Sequence, residues 1–247
     1  MSLHALLSLS VLTAAALAAS TSAHARTWYV DKTRAGFVAP SDRNGDEDTP
    51  FERISHALGA RGLAPGDVVL VTGADTYAEN LTLPDGIRLE AKVHAAVDTG
   101  GAPTLLVSEA DPKEPGITVT TEHADNAVVG FNIHEGGAER GAGIFVLSGK
   151  VLIEDNVFWL NEAEKEHRDP LGGAIAVFDA DKLASKPDDY HVIIRGNHFA
   201  GNATKGPTGM GGAIGCKGDK ARPNLLIEDN TIGLTPLFKN GSPHGGG

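Results

Sequence analysis

Oxygen-bearing side chains recur at alternate positions in one short segment near the N-terminal end of the chain. They belong to Asp42, Asn44, Asp46 and Asp48, with Gly45 between them. Carboxylate and amide oxygens at such spacing can wrap a hard cation such as Ca²⁺. The glycine stands earlier than the sixth position that an EF-hand loop requires, and no glutamate follows at the twelfth. We predict a Ca²⁺ site at these four residues; the alternative is a polar turn that leads into a helix.

A second set of reactive side chains lies in a charged segment, residues 162–170. A lyase acting on a uronic acid needs a base that removes the proton α to the carboxylate, and cations that neutralise that carboxylate. Lys165, His167 and Arg168 can supply the base and the cations, and acidic neighbours such as Asp169 can hold a metal. We predict these four as catalytic residues. The alternative is that this segment and a second charged insertion, residues 179–189, are solvated loops.

Composition and charge exclude several classes of protein. The chain has 247 residues, 21 Lys+Arg and 32 Asp+Glu, so its formal net charge is −11, which argues against a nucleic-acid partner. Glycine accounts for 31 of the 247 residues, about 13% against the usual ~7%, which indicates a turn-rich fold. The single cysteine allows no intrachain disulfide. The ten histidines form no zinc-binding pair, and no phosphate-binding loop or nucleophile-elbow motif is present.

The first 25 residues have the pattern of an export signal. Residues 5–19 are apolar, and Ala23 and Ala25 frame the small-x-small pattern of a cleavage site before Arg26. No later apolar run reaches the ~18 residues that a membrane span needs. We therefore predict a signal peptide over residues 1–25, a secreted or periplasmic location, and no transmembrane segment after cleavage.

A helix is predicted over residues 50–60, within an N-terminal cap formed by residues 26–66. Thr49 is placed to cap it, Pro50 suits its first position, and Glu52 completes a capping box. Ile54 and Leu58 extend its apolar face.

Short β-rich segments follow, and from about residue 126 they repeat. The predicted strands are Val68–Val71, Asn80–Leu83, Ile87–Ala91, Thr104–Val107, Ile117–Thr120 and Val128–Ile133. Three copies of a strand end in Asn156, Asn197 and Asn230, spaced by 41 and 33 residues. A glycine-rich motif before Ile144, Ile175 and Ile214 alternates with them at spacings of 31 and 39 residues. Constant motifs at variable spacing predict stacked coils with loop insertions.

In stacked coils, equivalent residues of successive coils lie above one another and form a column, which faces either the interior or the solvent. The three asparagines are expected to form a side-chain ladder, and the three isoleucines an inward stack that continues with Val146, Val177 and Cys216. Glu154, Arg195 and Glu228 are expected to form an outward column of alternating charge.

The chain resembles a known architecture at several motifs. The N-terminal region, residues 28–91, is similar to that of bacterial pectin-lyase-like proteins in Trp28–Asp31, Thr49–Phe51, Pro65–Asp67, Tyr77–Glu79 and Leu83–Gly86. The later copies resemble right-handed parallel β-helix repeats, and Phe199–Asn202 followed by Gly211–Ile214 is similar to the repeats of autotransporter passengers. The resemblance implies an all-β, right-handed parallel β-helix solenoid of about five coils. In it, residues 67–247 form the solenoid and the helix caps its first coil.

The same resemblance implies a secreted protein that binds or processes extracellular polysaccharide, as a lyase or glycoside hydrolase if it is an enzyme. Motifs of polygalacturonases and of the well-known pectate lyases are absent, and the alternative is a non-catalytic, adhesin-like β-helix at the cell surface. A further coil is expected to begin at Gly245, 34 residues after Gly211. We therefore expect either a solenoid truncated at its C-terminus, as a fragment of a longer β-helix, or a last coil that is covered by a partner or by an end-to-end contact.

Overall fold

The computed structural model describes residues 25–98, 100–111, 113–120, 125–164, 170–178, 191–217 and 225–233. The strands in the first half are β1 Thr27–Val30, β2 Val68–Val71, β3 Thr76–Tyr77, β4 Leu81–Leu83, β5 Arg88–Ala91, β6 Thr104–Leu106, β7 Ile117–Thr120, β8 Asn126–Val129, β9 Asn132–His134 and β10 Ile144–Ser148. Those that follow are β11 Val151–Glu154, β12 Val157–Trp159, β13 Glu162–Glu164, β14 Ile175–Phe178, β15 Val192–Arg195, β16 His198–Ala200, β17 Ala203–Lys205, β18 Ile214–Lys217, β19 Leu225–Glu228 and β20 Thr231–Ile232. The helices are α1 Lys32–Ala35 and α2 Ile54–Leu58, with 3-10 turns at Pro40–Asp42 and Val107–Glu109. Within these ranges, no helix has the length and apolar character needed to cross a bilayer.

The strands form stacked parallel sheets that the chain visits in a fixed order. The first sheet has the order β1-β2-β5-β8-β11-β15-β19, the second β4-β7-β10-β14-β18 and the third β3-β6-β9-β12-β16-β20. From β2 onward the chain passes from the first sheet to the third, then to the second, and returns to the first; β13 and β17 add a small pair after the third sheet. The pairs within each sheet are parallel. The fold is therefore all-β and compatible with a β-helix solenoid.

The register predicted from the repeats is confirmed. Ile144 pairs with Ile175, and Ile175 pairs with Ile214. In the first sheet, β11 pairs with β15 and β15 with β19 in the alignment that the repeated asparagine motif predicts. Because side chains alternate between faces along a strand, this register sends one set of columns inward throughout the stack.

The inward columns form one continuous apolar core. It includes fully buried Ile153, Ile194 and Ile144, and Phe158 stacks on Phe199 with ring centroids 4.9 Å apart and planes inclined by 5°. Cys216 lies in the column of Val177 and packs, partly buried, against this core, as predicted.

The asparagine ladder is confirmed and closes the corner between the first and third sheets. Asn197 Oδ1 accepts hydrogen bonds from the backbone N–H and the side-chain amide of Asn156, at 3.0 and 3.1 Å. Asn230 Oδ1 accepts the same two bonds from Asn197, at 2.9 and 3.0 Å. On the other side the ladder ends at Phe131, whose N–H donates to Asn156 Oδ1.

A second ladder, which the sequence analysis did not predict, lies at the next corner. Asn202 Oδ1 accepts from the backbone and side-chain N–H groups of Asn161, at 3.1 and 3.0 Å. Asn161 Oδ1 in turn accepts from the backbone N–H of Gly136. Asn161 and Asn202 are both fully buried, so these bonds satisfy polar groups that water cannot reach.

The helix predicted over residues 50–60 is shorter, since α2 begins at Ile54 and Thr49 does not cap it. The backbone of Phe51 is extended because it bonds to β1: its N–H donates to Tyr29 O, and its carbonyl accepts from Asp31 N. The N–H groups of Ile54 and Ser55 at the start of α2 instead donate to the two carboxylate oxygens of Glu79, both at 3.0 Å. The predicted start was wrong because these N–H groups find their acceptor far along the chain.

Two other predicted boundaries are corrected. Val128–Ile133 is not one strand, because the chain turns at Gly130, with φ 86°, between β8 and β9. The charged segment that starts at Glu162 is not wholly a loop, because Glu162–Glu164 forms β13 and pairs with β17.

The outward charged column is confirmed. Arg195 donates to Glu154 Oε1 from Nε at 2.8 Å and from Nη2 at 2.6 Å, and its Nη1 lies 3.8 Å from Glu228 Oε1. The hydrogen bonds and charge of Glu154 raise the pKa of Arg195. The Arg195 side chain is 43% exposed, so salt should screen these pairs.

Replacing Arg195 by glutamate should place three like charges in adjacent coils and lower the free energy of unfolding by about 1 kcal/mol at low salt. The loss should shrink toward that of Arg195→Gln in 1 M salt, where the screening length is ~3 Å. Urea unfolding of both variants at low and high salt measures this difference. A loss that salt leaves unchanged would contradict the exposed position of the column.

Candidate functional site

A turn that contains glycine precedes each of the strands β10, β14 and β18 of the second sheet. These turns fix where the side chains at the start of each strand lie on the outer face of the sheet. Gly172 has φ 60°, and a Cβ there would lie 1.9 Å from Ile175 O, so only glycine fits. Just before it, Leu171 forms parallel bridges with Arg140 on one side and Met210 on the other. The turns therefore stack like the strands, and they hold Arg140 at the border of the second sheet.

A groove of about 480 Å³ lies on this outer face. It is lined by Lys113, Glu114, Pro115, Thr118, Ala138, Glu139, Arg140 and Phe145. Thr118 on β7 pairs with Phe145 on β10, and Phe145 pairs with Ala176 on β14. The groove thus crosses neighbouring strands of one sheet.

An arginine and two phenylalanines meet beside this groove. Cζ of Arg140 lies 4.5 Å from the centre of the Phe178 ring, and Phe178 meets Phe145 edge to face with centroids 6.3 Å apart. All three side chains are partly exposed, and Arg140 forms no ion pair within the part of the chain that the structure describes. Its guanidinium N–H groups can therefore donate to a ligand that rests on the rings.

The predicted catalytic residues Lys165, His167, Arg168 and Asp169 lie outside the described residues. The structure does describe both ends of their segment. The segment leaves β13 at Glu164 and rejoins the fold at Pro170. Pro170 precedes Leu171, which forms a β-bridge with Arg140. The second charged insertion begins directly after Phe178. Both insertions are therefore attached beside the groove, and the role of these four residues stays a prediction.

The predicted Ca²⁺ ligands lie in one loop, and each has partners within the protein. Asn44 Oδ1 accepts from the backbone N–H of Asp46 at 3.0 Å and from the Thr49 hydroxyl, and Asp42 accepts from the Ser41 hydroxyl at 2.9 Å. Asp46 pairs with Arg26 at 2.8 Å, and Asp48 pairs with Arg34 at 3.6 Å.

The same loop has a structural function. A Cβ at Gly45 would lie 2.5 Å from the Phe51 ring and 2.9 Å from the Trp28 ring, so the loop packs closely on both aromatic side chains. Among the described residues, no cluster of three or more His, Cys, Asp or Glu side chains is arranged to hold a metal ion. Ca²⁺ binding at this loop stays a prediction.

The groove residues were not identified from the sequence, although one signal was present. Phe145 stands between the inward residues Ile144 and Val146, and Phe178 follows inward Val177. Strand alternation therefore sends both rings outward on adjacent strands, where they form one exposed aromatic pair. Arg140 carried no such signal, because it lies before β10 and not within a strand, so alternation does not predict where its side chain points.

The groove offers sites for binding rather than a recognisable catalytic pair. It combines aromatic faces, a threonine hydroxyl, the cations Arg140 and Lys113 and the carboxylates Glu114 and Glu139. Such a surface can bind a polar, ring-containing ligand by stacking and hydrogen bonds. Comparison of this chain with protein-family models, with curated proteins and with solved structures finds no match.

Proposed function

We propose that this chain is a secreted, pectin-lyase-like right-handed parallel β-helix that binds extracellular polysaccharide in the groove on its second sheet. The observation that carries the proposal is Arg140 stacked on Phe178, with Phe145 alongside, at an outward-facing groove. The signal-like segment over residues 1–25 supports a location outside the cytoplasm.

The proposed architecture has about five coils and an N-terminal cap. The five strands of the second sheet support this number, since each complete circuit contributes one of them. Helix α2 supports the cap, because it packs on β1, β2 and β4 at the first turns of the stack.

A polysaccharide matches the chemistry of the groove. Sugar rings present C–H groups to aromatic faces, and their hydroxyl or carboxylate oxygens accept from guanidinium and ammonium groups. A polymer that crosses the strands meets a new coil every ~4.8 Å, so successive rings can use equivalent positions.

Cleavage is a further proposal that depends on the charged insertion. Lys165, His167 and Arg168 belong to a segment that rejoins the fold at Pro170. The next residue, Leu171, forms a β-bridge with Arg140 of the groove. A base and cations from this segment would act on a polymer held in the groove. Release of unsaturated products, measured by absorbance at about 235 nm on pectate, alginate and glycosaminoglycans, tests proton abstraction directly.

Binding is tested with variants of the groove. Arg140→Ala and Phe178→Ala should each weaken binding to the best polymer of an acidic and neutral panel by about tenfold, since each removes a contact of roughly 1.4 kcal/mol. Arg61→Ala and Phe37→Ala are matched controls, because both side chains are exposed outside the groove, and they should bind like the wild type. Affinity electrophoresis and calorimetry supply the measurement.

If the wild type binds no polymer of the panel, or if groove and control variants bind equally, the groove is not a polysaccharide site. That outcome favours the adhesin-like alternative, in which the protein is a non-catalytic β-helix that acts through its laddered surface.

A further inference from the structure

The predicted export signal ends where the described part of the chain begins. Ala25 is the first residue that the structure describes, and the next residue, Arg26, is already bonded to the fold. Strand β1 starts one residue later, at Thr27. Cleavage before Arg26, as the pattern of Ala23 and Ala25 predicts, would therefore place the new N-terminus directly at the first strand of the first sheet.

The backbone nitrogen of Arg26 faces a buried carboxylate. It lies 2.8 Å from Oδ1 of Asp67, a residue that is only 5% exposed. The other carboxylate oxygen, Oδ2, accepts from Trp28 Nε1 at 2.9 Å and from the backbone N–H of Ala64 at 3.0 Å. The carboxylate is thus fixed through Oδ2, and its Oδ1 is directed at the Arg26 nitrogen.

Further contacts hold Arg26 in place, although the ends of a chain commonly fray. Its carbonyl accepts from the backbone N–H of Val68 at 2.9 Å. Its guanidinium donates to Asp46 Oδ1 at 2.8 Å, and Cζ lies 3.7 Å from the centre of the Trp28 ring. The nitrogen is therefore held opposite Asp67 by contacts that do not involve the residues before Arg26.

We infer that cleavage of the Ala25–Arg26 bond creates an α-ammonium group that forms an ion pair with Asp67, so that removal of the signal completes the fold. This inference rests on the predicted export signal and not on the polysaccharide groove. The bond is hydrolysed by a signal peptidase with one molecule of water. The oxygen of the water joins the carbonyl carbon of Ala25, which becomes a carboxylate, and both hydrogens end on the Arg26 nitrogen, which becomes –NH3⁺.

The ammonium is a better partner for Asp67 than the amide that it replaces. An amide nitrogen has one N–H and no net charge, whereas the ammonium has three N–H bonds and a positive charge, so the hydrogen bond becomes an ion pair at a carboxylate that little water reaches. The charged groups that face it are the carboxylates of Asp67 and Asp46 and the Arg26 guanidinium. A second positive charge therefore balances the second carboxylate.

The N-terminus of the exported protein provides the first test. After secretion by a bacterial host, sequencing should find Arg26 as the first residue. Its α-amino group should be acylated by an N-hydroxysuccinimide ester at pH 7 about tenfold more slowly than in Asp67→Asn, because the carboxylate holds the proton on the nitrogen. Asp46→Asn is the control and should react like the wild type, since Asp46 pairs with the guanidinium. An uncleaved chain, another first residue or equal reactivity of the wild type and Asp67→Asn overturns the inference.

A second comparison leaves every residue of the fold unchanged. Two chains released from a removable tag begin at Arg26 and at Ala25, and in the longer one the Arg26 nitrogen is an amide again. At pH 7 the shorter chain should melt about 3 °C higher. The α-amino group of a chain ordinarily has a pKa of ~8, and a buried carboxylate partner raises it. The added stability is therefore complete below about pH 8 and is lost as the pH rises through the raised value.

The difference in melting temperature between the two chains should accordingly disappear by about pH 11. A difference that is absent at pH 7, or that persists at about pH 11, overturns the inference, because neither result fits a titrating α-ammonium. If the exported chain begins at Arg26 but melts like the longer chain, the ion pair fails and the predicted export signal stands. Binding of a polysaccharide to the groove depends on neither result.

Discussion

Asn197→Leu should lower the free energy of unfolding by about 4 kcal/mol, because it removes the centre of the asparagine ladder. Asn197 is fully buried, and its side chain serves two neighbouring coils. Its Oδ1 accepts from the backbone N–H of Asn156, and its Nδ2 donates to Ile153 O at 2.9 Å. Leucine has the same branched shape but is larger and has no polar atom, so both backbone groups lose a partner where water cannot reach them, at ~1–3 kcal/mol each.

Asn230→Leu is the matched control, since Asn230 forms the same bonds to Asn197 but lies half-buried at the last rung of the ladder. Because the Asn230 position is partly exposed, water can replace part of the lost hydrogen bonds, and the loss of stability should be less than half as large. Urea unfolding followed by circular dichroism measures both variants. Equal losses would contradict the central, buried position of Asn197.

The repeated part of the fold was predictable because strand periodicity and repeat alignment agree. Once Asn156 is aligned with Asn197, the alternation of side chains places Ile153 beside Ile194 on the inner face and Glu154 beside Arg195 on the outer face. Local sequence is sufficient for such columns, since each residue meets its own equivalent in the next coil.

Contacts between non-equivalent residues were not predictable in this way. Glu79 binds the start of α2 from the far side of two strands, and no local pattern around Thr49 reveals that acceptor. Likewise, Arg140 contacts Phe178 because the bridge between Arg140 and Leu171 places two neighbouring coils side by side. The groove depends on such contacts, which explains why it was not identified from the sequence.

Two of the N-terminal motifs named above, Trp28–Asp31 and Pro65–Asp67, meet at one buried carboxylate. Asp67 is 5% exposed and accepts from Trp28 Nε1 at 2.9 Å, from the backbone N–H of Arg26 at 2.8 Å and from that of Ala64 at 3.0 Å. The Arg26 guanidinium lies 3.7 Å above the Trp28 ring and pairs with Asp46. These residues therefore join β1, the turn before β2 and the predicted Ca²⁺ loop.

Asp67→Asn should lower the free energy of unfolding at pH 7 by about 3 kcal/mol, because an amide nitrogen cannot accept the bonds that one carboxylate oxygen now accepts. The variant should also lose a pH dependence. Burial by itself raises the pKa of Asp67, but the hydrogen bonds from Trp28, Arg26 and Ala64 outweigh it and hold the pKa below its ordinary value. A carboxyl whose pKa is lowered on folding stabilises the protein above its unfolded pKa, and this stabilisation disappears as the pH falls through the folded value.

Below about pH 4, the free energy of unfolding of the wild type should therefore fall more steeply with decreasing pH than that of Asp67→Asn. The two free energies should converge as the pH falls further. Asp48→Asn is the control: its side chain is fully exposed and only 3.6 Å from Arg34, so it should change stability by less than ~0.5 kcal/mol. Urea titrations between pH 7 and pH 2.5, followed by the fluorescence of buried Trp28, measure all three proteins. If Asp67→Asn keeps the full acid dependence of the wild type, Asp67 is not the carboxylate that couples the N-terminal strand to its neighbour.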